Sequence, residues 1–234
     1  MTASISTSHA IDTPLRVCIE GINGVGKTSA ARAVAAQLGT RCRLLDELTD
    51  QPGDTLPGEV IAALSSEQDP FLRTGHPVAE TLALFGLQVR KHEQLTHRDL
   101  AGAEVILEDR GLDTVAVYQA AILCSQHHGT SLGEVARHLL ASGRPLLPTP
   151  DATILLVGDL AVCSQRFGNR IGRQLDPADL QLMGQIDALY REMAAENPGR
   201  YTILDVAEMS PDESASAVAH VVGTLLEQRE AVHA

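Results

Sequence analysis

The sequence predicts an α/β domain whose parallel sheet is flanked by helices. Five short apolar runs, bounded by turn residues, alternate with segments of helical periodicity. Strands separated by helices pair in parallel through right-handed crossovers. Aromatic residues make up only 3% of the chain and Trp is absent, so we expect a core of Ala, Leu, Val and Ile. The predicted strands are residues 16–20, 42–47, 105–109, 153–157 and 202–205.

Turn residues and helical periodicity define the elements between these strands. An alanine-rich segment follows the first strand and ends at Gly39, a residue typical of helix C-termini. A proline-stiffened loop at 143–150 leads into the fourth strand. Apolar residues three and four positions apart mark the other helices. The predicted helices are residues 27–38, 58–65, 78–99, 113–127, 132–142, 179–196 and 212–229.

Charge and composition limit the class of partner. The net charge of −12 argues against a nucleic-acid polymer or an anionic membrane, since both need basic patches on the protein. No apolar run reaches the roughly 20 residues that span a bilayer, and residues 1–13 lack the apolar stretch of a signal peptide. Four cysteines without a C-x-x-C pair indicate reduced thiols and a cytoplasmic protein. We expect a loose tail at 1–13 and one domain at 14–230.

The loop at 21–28 reads G-x-x-x-x-G-K-T and predicts a nucleotide-phosphate site. Its glycines let backbone N–H groups face phosphate oxygens, and the next helix points its positive dipole end at the same anion. Lys27 adds a charge near the β- and γ-phosphates, and the Thr28 hydroxyl can ligate Mg²⁺. The residues expected to bind the nucleotide are Gly21, Asn23, Gly24, Val25, Gly26, Lys27, Thr28 and Ser29.

Asp109 and Arg110 end the third predicted strand, at the edge where ligands bind in open α/β sheets. A carboxylate there typically holds Mg²⁺ opposite the Thr28 hydroxyl, so Asp109 is a candidate metal ligand. The Arg110 guanidinium can bind a phosphate in bidentate fashion. The alternative is an Asp–Arg pair that only closes a surface turn.

Three arginines, Arg166, Arg170 and Arg173, follow the fourth predicted strand in close succession. Two glycines among them weaken a helix, so we expect a mobile loop at about 164–176 that closes as a lid. Phosphoryl transfer needs positive charge around the transferred group and exclusion of water, and a closing arginine loop supplies both. The alternative is a solvated basic stretch.

Together these motifs resemble the thymidylate kinase family of P-loop kinases, over nearly all of residues 15–226. Residues 48–55 are similar to the family's T-R-E-P-G-G-T loop, 84–85 to the start of its base-stacking helix, and 109–119 to its D-R-Y…A-Y-Q segment. The arginine segment and the closing helix and strand follow in the family's order. The resemblance implies a three-layer fold with a five-stranded parallel sheet, ATP and Mg²⁺, a nucleotide acceptor and a homodimer.

The departures from this family lie on the acceptor side of the expected site. Asn23 stands where the family has a carboxylate near the acceptor sugar, and Asp50 where it has an arginine for the acceptor's phosphate. Val89 replaces the arginine that commonly reads thymine, and Gly111 replaces the tyrosine of D-R-Y. Val115 takes a position that is polar in some members. A carboxylate at position 50 would repel a phosphate that an arginine holds.

The resemblance also implies roles for the site residues, with Phe85 stacking on a ring of the acceptor. The expected acceptor-binding residues are Asp50, Phe85, Val89, Arg90, Arg110, Val115 and Tyr118. The expected catalytic residues are Lys27, Asp50, Arg110, Arg166, Arg170 and Arg173.

We interpret the chain as an ATP-dependent kinase whose acceptor resembles a nucleoside monophosphate but is not ordinary dTMP. Compensation by neighbouring residues would leave dTMP as the acceptor. The alternative acceptor is a nucleoside or another metabolite with a free hydroxyl, which Asp50 or Glu47 would orient as a base. A third interpretation is a non-catalytic ATP-binding switch. The three arginines argue against it, because binding alone does not need them.

Overall fold

A five-stranded parallel sheet forms the centre of the computed structural model, which describes residues 13–50, 52–65, 69–96, 98–126 and 129–233. The strands are β1 (Leu15–Glu20), β2 (Cys42–Leu45), β3 (Val105–Asp109), β4 (Ala152–Val157) and β5 (Tyr201–Asp205). They lie in the order β2-β3-β1-β4-β5, and each neighbouring pair is parallel. The predicted fold class and its five strands are confirmed. The predicted tail lies outside the described residues, apart from Thr13.

Helices cover the sheet. They are α1 (Lys27–Leu38), α2 (Leu56–Leu64), α3 (Pro77–Glu93), α4 (Leu112–Gln126), α5 (Leu132–Gly143), α6 (Leu160–Ile171), α7 (Pro177–Glu196) and α8 (Pro211–His233). All but α6 correspond to predicted helices, although α3 ends at Glu93 rather than at residue 99. Short 3₁₀ helices form at Gly39–Arg41 and Leu48–Asp50. No helix within the described ranges is long and apolar enough to cross a membrane.

Helix α6 corrects part of the prediction of a loop at 164–176, because residues 164–171 are helical. The backbone is helical through Ile171 and ends at Gly172, whose φ of +71° forms a left-handed C-cap. Gly168 permits a close approach, because a Cβ there would lie 2.8 Å from the Arg173 carbonyl oxygen. The two glycines therefore shape the end of a helix and the return of the chain, rather than preventing the helix.

The sheet register brings the loops after β1 and β3 to one edge. Ile19 lies opposite Asp109, and Glu20 lies opposite Leu155. The glycine-rich loop and the Asp109–Arg110 turn therefore leave the sheet side by side, at its carboxyl edge. Helix α1 packs against α8, while α4 packs against α3, α5 and α7. The buried aliphatic core between these layers holds that edge in place.

Candidate functional site

The glycine-rich loop lies tightly against helix α6. Gly24 adopts a φ of +81°, and a Cβ on it would lie 2.1 Å from the Cys163 carbonyl oxygen. No side chain fits in that space, so glycine is what lets the loop backbone reach the helix. At the end of the loop the Lys27 ammonium is buried and donates to the Ile22 carbonyl oxygen at 2.7 Å. The loop thus folds around its own lysine.

The Lys27 ammonium lies in an environment that disfavours its charge. Burial and the nearby Arg110 guanidinium lower the pKa of Lys27 to about 7, against the opposing effect of the carboxylates Glu47 and Asp109. A phosphate anion arriving in the loop adds negative charge and favours the protonated amine. The site is therefore suited to bind an anion together with a proton.

A cavity of about 310 Å³ opens in front of the loop. Residues 24–29 form one wall, and Arg166 and Arg170 of α6 form another. The third wall is the turn between β5 and α8 together with the first residues of α8, and its lining residues are Val206, Met209, Ser210, Pro211 and Ser214. The glycine-rich loop and two arginines thus line this cavity, which is called the donor cavity below.

Sequence reasoning missed the third wall, although the sequence carries a signal for it. The Ser210 N–H donates to Glu213 Oε2 at 2.8 Å, and the Glu213 N–H donates to Ser210 Oγ at 3.3 Å. This reciprocal capping box fixes the first turn of α8. Its S-x-x-E pattern is readable at residues 210–213.

A second cavity of about 670 Å³ adjoins the first and is called the acceptor cavity below. Three side chains line both cavities and form the partition between them: Glu47, Arg110 and Arg170. The other expected site residues that line the acceptor cavity are Asn23, Asp50, Val115, Tyr118 and Arg173. Phe85, Val89 and Arg90 are not among the residues that line it.

The aromatic side chains that line the acceptor cavity are Phe71, Tyr118 and Phe167, whereas Phe85 does not line it. The Phe71 ring meets the Phe167 ring edge-on, with centroids 5.6 Å apart. Phe85 instead packs beside Gly143, where an added Cβ would lie 2.8 Å from its Cε1. Phe71 lies in a segment without a motif and meets Phe167 across a long stretch of chain, so the sequence offered no local signal for it.

Arg110 is held at the centre of the site by contacts to its side chain and its backbone. Its Nε lies 2.7 Å from Glu47 Oε1, and an Nη atom donates to Asn23 Oδ1 at 2.5 Å. The guanidinium also lies over the Tyr118 ring, 5.4 Å from its centroid. The φ of Arg110 is +61°, in the left-handed region that residues with side chains rarely adopt. Lys91 Nζ donates to the Arg110 carbonyl oxygen at 3.1 Å.

Glu47 remains a charged group in this setting. Burial alone would raise its pKa, but the Arg110 guanidinium and the Lys27 ammonium hold the pKa of Glu47 below its usual value. A carboxylate therefore lies between the donor loop and the acceptor cavity. It neutralises part of the positive charge that the sequence predicted there.

Asp109 has the environment expected of a cation ligand. Both of its carboxylate oxygens are buried, and neither has a hydrogen-bond partner among the residues that the structure describes. Buried carboxylates are normally hydrogen-bonded or bound to a metal. The residue also lies beside the glycine-rich loop through the pairing of β1 with β3. Its donor set of hard oxygens fits Mg²⁺.

The three arginines of the predicted lid do not share one environment. Arg166 lines the donor cavity and Arg170 lines both cavities, whereas Arg173 lines only the acceptor cavity. Arg173 pairs with the buried Asp179 at 2.9 Å, and Arg73 reaches the same carboxylate at 2.6 Å. Arg173 is thus held by Asp179 on the acceptor side, and it does not line the donor cavity.

Asp50 lines the acceptor cavity but has a cationic neighbour that the sequence did not reveal. An Nη atom of Arg32 lies 2.8 Å from Asp50 Oδ2, and both side chains are partly exposed. Burial and the nearby Glu47 carboxylate raise the pKa of Asp50. Arg32 therefore offsets part of the negative charge that replaced the family's arginine.

A phosphate loop beside a separate cavity, with guanidinium groups at their junction, is the arrangement of a P-loop phosphotransferase. The family model for thymidylate kinase matches residues 19–217. The chain is 31% identical to a thymidylate kinase of Jannaschia sp., covering 92% of this chain and 97% of that protein. It is 30% identical to one of Cereibacter sphaeroides, covering 84% and 88%. The chain therefore belongs to the thymidylate kinase family.

Solved structures agree with this assignment at the level of fold. The thymidylate kinase of Candida albicans superposes with a TM-score of 0.65 at 19% identity, covering 90% of this chain and 92% of that one. The thymidylate kinase of Ehrlichia chaffeensis gives a TM-score of 0.60 at 16% identity, covering 90% and 98%. Membership of the family makes the protein a kinase, a phosphotransferase that uses ATP as its nucleotide substrate.

Proposed function

We propose that this protein transfers the γ-phosphoryl group of ATP, with Mg²⁺, to a nucleoside monophosphate-like acceptor in the acceptor cavity. The observation that carries this proposal is the partition: Arg110 and Arg170 line both cavities. Groups placed there contact a phosphoryl group while it passes from one side to the other. Charge stabilisation at that point is the main task of a phosphoryl-transfer enzyme.

On the donor side, the loop N–H groups and the Lys27 ammonium hold the ATP phosphates. Thr28 and Asp109 are the residues that would hold Mg²⁺, which neutralises charge on the phosphates when bound. Asp109 supports this role because its buried oxygens lack protein partners among the described residues. Arg166 lies where it can neutralise charge on the transferred group.

On the acceptor side, the cavity has one apolar end and one charged end. Phe71 and Tyr118 supply flat surfaces for a base, while Arg110 and Arg170 supply guanidinium groups for a phosphate. Phe71 takes the stacking role that the sequence suggested for Phe85. The acceptor's base would then lie beneath Phe71 with its phosphate directed at the partition.

A coupled ATP-consumption assay with Mg²⁺ tests this proposal. The panel would contain dTMP, dUMP, dCMP, dGMP and dAMP, together with the matching free nucleosides. We expect turnover with at least one monophosphate and much less with its nucleoside. Turnover of nucleosides alone, or ATP binding without turnover of any acceptor, would contradict the proposed acceptor class.

One observation favours a second candidate, in which the acceptor carries a free hydroxyl instead of a phosphate. Glu47 is a charged carboxylate 2.7 Å from Arg110, in the partition that a phosphoryl group would cross. A carboxylate in that place can orient a hydroxyl and accept its proton. It would also compete with an acceptor phosphate for the Arg110 guanidinium.

Glu47→Gln separates these two candidates. If Glu47 is a base, the variant loses about 10²-fold or more in kcat, because general-base catalysis contributes about that much. If the acceptor carries a phosphate, the variant frees Arg110 and lowers the acceptor KM with little change in kcat. Thermal unfolding of both proteins would show whether loss of the Arg110 pair affects stability instead.

We also propose that the protein is a homodimer, through the outer face of α3. Val78 and Leu82 lie one turn apart on that helix and are 60% and 67% exposed. Contiguous exposed apolar surface is typical of protein–protein interfaces, and these two neighbouring side chains would form its centre on α3. Leu82→Asp should convert the dimer to a monomer in sedimentation experiments, whereas Ile203→Asp, at another exposed apolar position, should not. A monomeric wild-type protein would contradict the proposal.

A further inference from the structure

Glu20, the last residue of β1, is a buried carboxylate with an unusual set of partners. It is fully enclosed and directly precedes the first glycine of the phosphate loop. Its Oε1 accepts from the Gly111 N–H at 2.9 Å and from the Thr114 N–H at 3.3 Å. Its Oε2 accepts from the Thr114 hydroxyl at 2.5 Å and from the Tyr190 hydroxyl at 2.8 Å. The Cys18 thiol also donates to Oε1, at 3.3 Å. One carboxylate therefore accepts from five donors, of which three belong to one turn.

That turn begins at Arg110, the residue with the left-handed backbone. Gly111 and Thr114 lie at the start of α4, where the first N–H groups of a helix have no partner within the helix. Glu20 supplies the acceptor that a capping side chain normally supplies from the helix itself. The turn that places Arg110 at the partition is thus held by Glu20 of β1, although the turn itself follows β3.

A backbone hydrogen bond also joins the end of β1 to Arg110. The Arg110 N–H donates to the Ile19 carbonyl oxygen at 3.2 Å, one residue before Glu20. Glu20 and Ile19 together join the end of β1 to the start of α4. The phosphate loop begins at the next residue, so the loop and Arg110 are attached to the same two residues of β1.

We propose that Glu20 is a positioning residue that sets the placement of Arg110 relative to the phosphate loop. Its action is geometric, through hydrogen bonds that its carboxylate accepts from the 111–114 turn. The inference rests on the proposed function, because it takes Arg110 to contact the transferred or acceptor phosphate. It assigns no chemical step to Glu20 itself.

Two conservative variants separate geometry from charge. Glu20→Gln keeps the length of the side chain and an oxygen for the two N–H groups, and the Thr114 and Tyr190 hydroxyls can accept from its amide. Glu20→Asp keeps the charge but is one methylene too short to reach the turn. We expect kcat within about 5-fold of wild type for Glu20→Gln and a loss of about 30-fold for Glu20→Asp, with an ATP KM that changes little. The opposite ranking would overturn the proposal.

A matched control removes the ambiguity between activity and stability. Glu80 is also a buried carboxylate, and it accepts from the Thr74 N–H at 2.6 Å and the His76 N–H at 3.1 Å. Glu80→Asp should lower the thermal midpoint of unfolding as Glu20→Asp does, yet leave kcat unchanged. If the two variants affect kcat equally, Glu20 is only structural and the proposal fails.

A double-mutant cycle with Arg110→Ala distinguishes this inference from the proposed function. If Glu20 acts through Arg110, then Glu20→Asp adds less than about 3-fold to the loss caused by Arg110→Ala. If the double variant instead loses the product of the two single-variant losses, the inference about Glu20 is overturned while the role of Arg110 stands. Full activity of Arg110→Ala alone would instead contradict the proposed role of Arg110.

Discussion

The two cavities differ in how their positive charge is held. Of the cations that line only the donor cavity, Lys27 belongs to the glycine-rich loop and Arg166 to α6, and the Lys27 ammonium contacts only a backbone carbonyl among the hydrogen bonds described for it. Arg173, which lines only the acceptor cavity, is paired with Asp179, and Arg110 in the partition is paired with Glu47. The donor side is therefore ready for an anion, whereas the acceptor side must exchange a protein carboxylate for its ligand.

Removal of the donor lysine should have the largest effect of any single change. Lys27→Ala is expected to lower kcat by about 10⁴-fold while the fold stays intact, because the phosphates lose their main buried cation. The coupled kinase assay measures the loss, and circular dichroism checks the fold. Substantial turnover by a folded Lys27→Ala protein would contradict the assignment of the donor side.

The arginines should separate by the cavity that they line. Arg170→Ala should lower kcat by about 10³-fold, since a guanidinium at the transferred group contributes on that scale. Arg173→Ala should lower kcat less than 10-fold and mainly raise the KM of the acceptor, because Arg173 lines only the acceptor cavity and pairs with Asp179. Steady-state kinetics with each substrate varied in turn gives both values. Equal losses of kcat would break the distinction between the two sides.

The low pKa of Lys27 predicts how ATP binding depends on pH. In the protein without ATP, the Lys27 amine has a pKa of about 7, so it is mostly charged below pH 7 and mostly neutral above it. Bound phosphates favour the charged form, so the Kd for ATP should rise about 8-fold between pH 7.5 and 8.5, as linkage requires. Calorimetry in buffers of different ionisation enthalpy would also detect the proton taken up. Lys27→Arg stays charged throughout and should bind ATP independently of pH over this range.

The smallest expected effect concerns Asp50. Asp50→Arg restores the family's charge and should lower the KM for dTMP by about 3-fold, a modest change because Arg32 already offsets the carboxylate at 2.8 Å. Arg32→Ala, which removes that offset, should raise the same KM. If neither variant changes the KM of a phosphorylated acceptor, Asp50 does not contact the acceptor's phosphate.

The donor side could be predicted from the sequence because its chemistry is local. Residues 21–29 are consecutive, and the strand before them and the helix after them are marked by simple patterns. The acceptor side could not be predicted in the same way. Phe71 meets Phe167, Asp50 meets Arg32, and Glu47 meets Arg110 only through the tertiary fold.

The helical part of the arginine segment was predicted as a loop for a different reason. Glycine lowers helix propensity, but propensity is weaker than tertiary packing. Gly168 and Gly172 lie where the chain turns back on itself, so the helix needs them at its end. The same residues that argued for a loop therefore specify how a helix stops.

Gly24 has a consequence for how this chain can change over evolutionary time. Its backbone conformation disfavours any side chain, and the Cys163 carbonyl oxygen independently fills the place of a Cβ. Gly26 is constrained by conformation alone, since nothing lies within 4 Å of its Cβ position. An asparagine, which tolerates left-handed backbone, is therefore a conceivable intermediate at position 26 but not at position 24. Gly21 is restricted in the same two ways, because its φ is +140° and a Cβ there would lie 2.5 Å from the Leu156 carbonyl oxygen. The loop therefore has two positions, Gly21 and Gly24, at which no side chain fits unless neighbouring backbone moves first.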